Sequence, residues 1–443
     1  MPEINSTTSP QAYGNVSQTT KKPLNWKLIG IIAVIAAIVI GGLGYAAVVL
    51  DIFGTKKDET QTHVKQASPS AKVQTINELF AFSRDLGVEL NVATGSAQTK
   101  GNEVWIYNLG KVEQVTNVGS VGKFEQSKDG KTLYYVKQEV VGDQSVGIEL
   151  HSVSLDSKKD KILISKIKVD KNKPWQKSLN DFSLSNDNQK IAYVRDGVWI
   201  MDLKTNKTTK IATSTDYDPD KGTQGHSYNF VNWSPTGKYF HLQWSGYEVG
   251  GDEIMEVATK KITKLYSGFP GSYDLIAFID DTRGVFTTVV GDIVEKEIAN
   301  LKKDYPVLNL DESLGTHDVN SGDIGKVNGS LGIAAYSASQ DRIYYIRHII
   351  VKVKKEGGFV TGPQVVYFDR KKGKTIKISE NLPTSSETNN LLVFADGKYV
   401  IYDLKSNPDD SGVGFKNNQI WVISTDDKTQ IKLLDNALSP TVP

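Results

Sequence analysis

Residues 179–212 read LNDFSLSNDNQKIAYVRDGVWIMDLKTNKTTKIA, a stretch in which short apolar segments are separated by turn residues. Gly and Asn tolerate the positive φ that tight hairpins require, and Asp196-Gly197 and Asn186-Asp187-Asn188 stand between segments rich in strand-forming residues. The pattern therefore predicts a four-stranded antiparallel sheet. We expect its strands at 182–184, 190–194, 198–203 and 208–212.

The first hairpin of this sheet recurs along the chain. Six copies follow one another at intervals of 46 to 58 residues, and they begin at Ser127, Ser185, Ser234, Asp280, Ser337 and Phe394. A repeat of four strands every 40 to 50 residues or so is typical of propeller blades. A single sheet of this kind exposes two apolar faces, so the blades must pack side by side around an axis. A β-sandwich, the alternative, does not predict such a regular period.

The ends of the chain predict how the ring closes. Strands expected at 88–94, 103–109 and 112–117 form an N-terminal blade that lacks an innermost strand. Residues 436–440, NALSP, resemble the innermost strand at 231–235, VNWSP, and have no blade of their own. Closure by this C-terminal strand predicts an all-β, seven-bladed propeller of four-stranded antiparallel blades. Six blades is the alternative, because the segment 274–310 is poorly patterned.

The motifs of these strands resemble those of TolB-type and WD-repeat-like β-propellers. A hairpin of the type Trp-Ser-Pro-Asp-Gly-Lys appears here as Trp233-Ser-Pro-Thr-Gly-Lys238, and the strand that follows it in the family is matched by Val198-Trp-Ile-Met-Asp-Leu203 and Ile420-Trp-Val-Ile423. The resemblance extends from about residue 88 to the C-terminus and implies a propeller fold. TolB proteins are soluble and periplasmic, with a separate N-terminal domain, whereas this chain begins differently.

The N-terminal segment predicts a membrane anchor. Residues 28–50 form an uncharged run of 23 residues, and a transmembrane helix needs about 20. The apolar region of a cleaved signal peptide has only about 7–15 residues. Three lysines precede the run and two follow it closely, which favours a cytoplasmic N-terminus and an extracytoplasmic propeller. We expect a single-pass protein of the cell membrane, with a disordered cytoplasmic tail over 1–27.

The segment between this run and the first strand has two predicted parts. Residues 51–74 are polar, and we expect a flexible linker there. A capping-box pattern from Thr75 to Glu78, followed by Gly87, predicts a short helix over 75–87, with a loop as the alternative. The propeller is then expected over 88–443.

Composition narrows the class of partner. The net charge is +1 with a sequence pI of about 7.7, which argues against a nucleic-acid binder. The chain has no Cys, so neither a disulfide framework nor thiol chemistry is available.

Loop length predicts which face of the propeller binds. With the strands of a blade named a to d from the axis outward, the a–b and c–d turns are mostly tight, whereas the long segments are b–c or d–a connections on the opposite face. Binding residues usually lie on loops held by a rigid scaffold. We therefore predict a ligand-binding face made of these aromatic and polar residues: Trp175, Trp244, Tyr247, Asp252, His226, Asp409 and Asp410.

One of these segments spaces three carboxylates two residues apart, at Asp216, Asp218 and Asp220. This spacing can place oxygen ligands around Ca²⁺. Gly222 comes one position late for the standard calcium loop, and Ser227 stands where its bidentate Glu belongs. A solvated acidic loop is thus the default interpretation, Ca²⁺ is the alternative, and no other cofactor is predicted.

Linear signatures of enzymes are missing. The chain has no Gly-x-Ser-x-Gly elbow, and residues 119–123, GSVGK, do not fit a phosphate-binding loop. The sequence favours a binding or scaffold module for an envelope protein, peptide or glycan. A glycoside hydrolase or lyase with carboxylates at the channel mouth is the alternative, because such pairs leave no linear motif.

Overall fold

A computed structural model describes most of the chain from residue 76 onward. The described residues are 76–85, 88–91, 96–99, 101–141, 144–171, 177–218, 222–247, 249–265, 273–288, 293–298, 322, 324, 327–355, 359–380, 382, 386–388, 390–406 and 417–443. The regular secondary structure of these residues consists of β-strands. The predicted tail, membrane segment and linker, residues 1–74, lie outside these residues. Within the described part, no helix has the length and apolar character needed to cross a bilayer.

The fold is a seven-bladed β-propeller of antiparallel blades. Blade 1 consists, from the axis outward, of β31 (Leu438–Thr441), β1 (Leu79–Asp85), β4 (Asn102–Asn108) and β5 (Lys111–Gln114). Between β1 and β4 in the chain, β2 (Val88–Asn91) and β3 (Ser96–Thr99) form a separate hairpin. Blade 2 contains β6 (Val121–Gln126), β7 (Thr132–Val141), β8 (Gln144–Ser154) and β9 (Asp160–Ile164). Blade 3 contains β10 (Asp181–Leu184), β11 (Lys190–Val194), β12 (Gly197–Asp202) and β13 (Thr208–Thr213).

The remaining blades follow the same order. Blade 4 contains β15 (Thr223–Trp233), β16 (Tyr239–Ser245), β17 (Gly250–Glu256) and β18 (Ile262–Lys264), with β14 (Thr215–Asp218) added beside β15. Blade 5 shows three described strands, β19 (Tyr273–Phe278), β20 (Arg283–Thr288) and β21 (Ile293–Glu297). Blade 6 contains β22 (Val327–Ser337), β23 (Arg342–Val353), β24 (Phe359–Asp369) and β25 (Lys374–Lys377). Blade 7 contains β26 (Ser386–Glu387) and β27 (Leu391–Val393), both paired with β28 (Tyr399–Ser406), then β29 (Asn417–Ser424) and β30 (Gln430–Asp435).

Ring closure occurs as predicted, by the C-terminal strand. β31 pairs antiparallel with β1, Ala81 opposite Thr441 and Ser83 opposite Leu438. The Ser83 hydroxyl also donates to the Leu438 carbonyl at 3.1 Å. The count of seven blades is confirmed, and the six-bladed alternative is wrong.

The helix predicted over 75–87 is wrong, because residues 79–85 form strand β1 and the propeller begins there rather than at residue 88. β1 pairs along its whole length with β4. Phe80, Ala81 and Phe82 are all fully buried, since the strand is covered on both faces. A strand buried on both faces has a continuous apolar run, which lacks the alternation that identifies half-buried strands.

In several copies of the repeated hairpin, a serine hydroxyl closes the a–b turn. The Ser185 hydroxyl donates to Asp187 Oδ1 at 2.6 Å and accepts from the Lys190 amide at 2.9 Å. Asn188, which follows the aspartate, has a φ of 56°, a value that favours Asn or Gly. The turn at Ser127 has the same two hydrogen bonds. The sequence repeat is therefore a repeat of turn geometry.

These turns also connect neighbouring blades. The Lys128 amide donates to Asn188 Oδ1 at 3.1 Å, from blade 2 to blade 3. Asn186 Nδ2 donates to the Pro235 carbonyl at 2.6 Å, from blade 3 to blade 4. The face with the tight turns thus has structural hydrogen bonds between blades.

Apolar cores lie between adjacent blades. Between blades 3 and 4, Val194 and Val198 pack with Val231, Phe240 and Leu242, all buried. Each blade contributes apolar side chains on both faces, which is why a single blade cannot bury its own core.

On the face of the b–c and d–a connections, several long segments contain more β-structure than predicted. In the first b–c connection the pairing of β7 with β8 continues to Val141 and Gln144, and in the d–a connection before blade 4 β14 pairs with β15. Backbone hydrogen bonds therefore hold the described parts of these connections, which the sequence shows only as long segments.

Deletion of residues 438–443 tests the closure. It removes the partner of β1 and several backbone hydrogen bonds, each contributing about 1 kcal/mol, so we expect about 3 kcal/mol of destabilisation in urea unfolding. Deletion of Pro443 alone, which leaves β31 intact, is the control. Equal stability of the two truncated proteins would contradict closure by this strand.

Candidate functional site

A groove of about 700 Å³ opens between blades 3 and 4 on the face that carries the b–c and d–a connections. Its lining comes from three places in the chain: Asn180 just before β10, the β14–β15 hairpin, and the turn 245–247 between β16 and β17. The predicted residues Asp216, His226 and Tyr247 are brought together here. We call this site the groove.

The groove exists because β15 is longer than the blade requires. Its first half pairs with β14, with Thr215 opposite His226 and Tyr217 opposite Gln224. Gly225 has a φ of 75°, and a Cβ there would lie 2.9 Å from the Tyr217 nitrogen. This close approach requires glycine.

The turn 245–247 is fixed against the same hairpin. The Tyr247 amide donates to the Gln224 carbonyl at 2.7 Å. A Cβ on Gly246 would lie 2.7 Å from the carbonyl oxygens of Gln224 and Gly225, so only glycine allows the turn to pack this closely. Two connections that are distant in sequence thus form one wall of the groove.

Two tyrosines form an exposed aromatic surface on this wall. The rings of Tyr217 and Tyr247 are stacked, with centroids 4.5 Å apart and planes 15° from parallel. Tyr217 is 47% exposed and Tyr247 is 50% exposed, although one face of each ring is covered by the other. Exposed aromatic residues of this kind frequently contribute to binding energy.

A second aromatic stack lies beneath the groove. The rings of His226 and Trp244 are 4.2 Å apart and 13° from parallel, and Tyr228 meets His226 edge-on at 4.8 Å. Trp244 was predicted as a ligand contact, but it supports His226 instead of lining the groove.

Beneath the groove, His226 lies close to the buried carboxyl group of Glu253. His226 Nε2 lies 3.5 Å from Glu253 Oε2, and the Tyr228 hydroxyl donates to the same oxygen at 3.4 Å. Burial lowers the pKa of His226, and the positive charge of Lys264 lowers it further. Burial also raises the pKa of Glu253, against the opposing effects of Lys264 and Tyr228. Both shifts favour the neutral form of each group.

Asp252, another predicted contact, lies inside the sheet. It is buried on β17, and its Oδ1 is 3.0 Å from Nε2 of the equally buried His241. It is therefore not positioned to touch a ligand in the groove, and a structural role in blade 4 accounts for it.

The predicted acidic segment forms part of a hairpin. Asp216 and Asp218 lie on β14, and the Asp218 amide donates to Thr223 Oγ1 at 3.1 Å, while Asp220 is outside the described residues. Within the described residues, no three His, Cys, Asp or Glu side chains come together in a way that could hold a metal ion. Trp175, Asp409 and Asp410 also lie outside the described residues.

A polar cluster on the innermost strands was not predicted. Lys123 Nζ lies 3.6 Å from Asp181 Oδ1, and the Lys123 side chain is 41% exposed. Glu125 Oε2 accepts from the Leu184 amide at 3.2 Å. Burial raises the pKa of Glu125 to about 7, with Lys123 opposing the shift. We call Lys123, Glu125 and Asp181 the axial cluster. No linear motif marks it, since Lys123 and Glu125 lie on β6 and Asp181 lies on β10 of the next blade.

Comparison with known proteins supports the fold. No protein-family model and no curated protein matches the chain. It is similar to a puromycin-hydrolyzing peptidase of Mycobacterium tuberculosis, with a TM-score of 0.50 and 11% identity over 77% of this chain and 51% of that one. It is also similar to TolB from Acinetobacter baumannii (0.41, 13% identity, 82% of each chain) and to the β-propeller domain of the Trilobed protease from Pyrococcus furiosus (0.47, 13% identity, 81% of this chain and 95% of that one).

At these identities the similarities show the fold alone. The chain spans about half the length of the peptidases that it matches, including a prolyl endopeptidase. The predicted propeller fold is confirmed by the blades themselves.

The axial cluster predicts a pH-dependent stability. The pKa of Glu125 is raised from 4.5 to about 7 in the fold, so its neutral form is favoured there. The stabilisation of the fold by neutral Glu125 is complete below about pH 4.5 and is lost as the pH rises through about 7. Glu125→Gln keeps a neutral acceptor for the Leu184 amide. We therefore expect its melting temperature, relative to that of the wild type, to be higher at pH 8 than at pH 5.

The control is Glu139→Gln, because Glu139 pairs with Lys166 at 2.6 Å on the exposed surface. Surface ion pairs contribute at most about 1 kcal/mol. If the stability of Glu125→Gln follows the wild-type pH profile between pH 5 and 8, the raised pKa of Glu125 is refuted.

Proposed function

We propose that this protein is a binding module whose groove receives a partner or ligand. The observation that carries the proposal is the exposed stack of Tyr217 and Tyr247 beside a concave site of about 700 Å³. Concave sites with aromatic walls and a few polar groups are the usual form of ligand sites in proteins. The close approaches at Gly225 and Gly246 hold both aromatic segments in position.

We further propose that residues 28–50 anchor the protein in the cell membrane, with the tail of residues 1–27 in the cytoplasm and the propeller outside. The 23-residue uncharged run and the excess of preceding lysines support this topology. The ligand is then an envelope component, namely a protein, a peptide or a glycan. The protein acts on it by holding it near the membrane surface.

An enzyme is the second candidate, and the axial cluster is the observation that favours it. A carboxyl group with a pKa of about 7 suits a general acid, and Asp181 supplies a second carboxylate near Lys123. Glycan turnover that is lost in Glu125→Gln, with binding in the groove retained, would favour the enzyme over the binding module.

The topology proposal is tested by proteolysis of intact spheroplasts. Protease added from outside is expected to digest the propeller and to leave a small membrane-bound fragment that contains residues 28–50. The same treatment after lysis controls for resistance of the folded propeller to the protease. Protection of the propeller in spheroplasts, with digestion only after lysis, contradicts the topology.

The groove proposal is tested by photo-crosslinking in cells. A photoreactive amino acid at Ser245, in the groove, is expected to give an adduct identifiable by mass spectrometry, whereas one at Ala258, on the exposed c–d turn of the same blade, is not. Tyr247→Ala should abolish the Ser245 adduct without changing the melting temperature by more than a few degrees. Equal adducts from both positions, or an adduct insensitive to Tyr247→Ala, would refute binding in the groove.

A further inference from the structure

The charges of the groove select against acidic ligands. Among its described lining residues there is one carboxylate, Asp216, and neither lysine nor arginine. The pKa of His226 is lowered by burial, so its imidazole is neutral at neutral pH. A phosphate, a uronic acid or an acidic peptide would meet Asp216, and no lysine or arginine of the described lining would compensate its charge.

The remaining polar groups of the lining can form hydrogen bonds with the hydroxyl groups of a ligand. Ser227, Ser245 and Thr215 carry hydroxyls, and Asn180 and Asn229 carry amides. Side chains of both kinds donate and accept hydrogen bonds, as the hydroxyl groups of a sugar do. Asn180 is also held in place, because its Oδ1 accepts from the Ser178 hydroxyl at 2.7 Å. A carboxylate such as Asp216 can accept hydrogen bonds from two sugar hydroxyls at once.

The stack of Tyr217 and Tyr247 can contact the C–H face of a sugar ring. A pyranose has faces of weakly positive C–H groups and a rim of hydroxyls, and an aromatic face is electrostatically negative. Tyr247 is covered by Tyr217 on one face and is 50% exposed overall. Its open face can therefore receive one face of a sugar ring while the rim reaches the polar lining.

We infer that the groove binds a neutral glycan, with one pyranose ring stacked on Tyr247 and its hydroxyls hydrogen-bonded to the lining between Asn180 and Ser245. The inference rests on the proposed binding function and specifies its ligand class. The ligand is uncharged, and N-acetylated sugars are included, because acidic sugars are disfavoured by Asp216.

A peptide added to the open edge of β14 is the competing occupant. β14 has four residues, which limits the number of backbone hydrogen bonds that an added strand can form. Strand addition gains specificity from pockets for alternate side chains. The described lining has no large aliphatic residue to form such a pocket. A glycan uses both the stack and the polar lining, so it fits the groove better.

The test is calorimetric titration of the full-length protein in a detergent without a sugar head group. The probes are cellohexaose, chitohexaose and maltohexaose as neutral glycans, hexagalacturonate as the acidic glycan, and a hexapeptide of alternating Thr and Val as the strand-forming peptide. We expect at least one neutral hexasaccharide to bind, and hexagalacturonate and the peptide to bind at least about tenfold more weakly than it.

Three variants assign the site. Tyr247→Ala removes the stacking face and is expected to weaken binding by about tenfold or more, as loss of a central aromatic contact does. Tyr247→Phe keeps the ring and is expected to restore most of the binding that Tyr247→Ala loses. Val140→Ala removes another exposed apolar side chain from the same face of the propeller and should have no effect.

The outcomes separate this inference from the function on which it rests. If no neutral hexasaccharide binds, or if Tyr247→Ala binds as the wild type does, the glycan inference is overturned. If hexagalacturonate or the peptide binds most tightly, it is overturned as well. If the crosslinked adduct at Ser245 still depends on Tyr247, the proposed binding function is retained without the glycan. If no such adduct forms, the binding function and the glycan inference are both refuted.

Discussion

Each blade of this protein has two apolar faces, and neither is buried until a neighbouring blade covers it. The ring must therefore close before all cores are complete, and closure depends on the pairing of β31 with β1. The buried carboxylate of Asp403 supports that junction, since it accepts from the amides of Asn390 at 3.0 Å and Ser439 at 3.2 Å. Ala437 packs in the same core as Phe80 from the other end of the propeller chain. The two ends are thus stabilised together.

The two faces of the ring are under different constraints. On one face, short turns form hydrogen bonds between blades, as between Asn186 and Pro235. An insertion there would separate neighbouring turns. On the other face, a connection can lengthen without disturbing the blade, and the β14–β15 hairpin is such an extension. The groove lies where one of these extensions meets the turn of residues 245–247.

The sequence predicted the parts of the structure that depend on local geometry. The serine turns were visible because copies such as those at Ser127 and Ser185 combine a hydroxyl with a positive φ, and the C-terminal strand was visible because it repeats a motif. β1 was missed because a strand buried on both faces shows no alternation. Tyr247 and His226 were named from their segment alone, but the burial of Asp252 depends on strand register. The pKa of Glu125 depends on burial beside another blade, which no linear pattern records.

In the proposed binding site, the aromatic stacks would limit the loss of side-chain entropy when a ligand binds. Side chains on flexible loops must be ordered on binding, at about 0.5–1.5 kcal/mol for each rotamer-rich side chain. Here the Tyr217 ring lies against that of Tyr247, and both backbones are fixed by close contacts at glycine. Beneath them, Trp244 packs against the core between blades 3 and 4 and stacks on His226. The proposed site is therefore preorganised by the same packing between blades that stabilises the ring, so the proposed binding would depend on the integrity of the propeller.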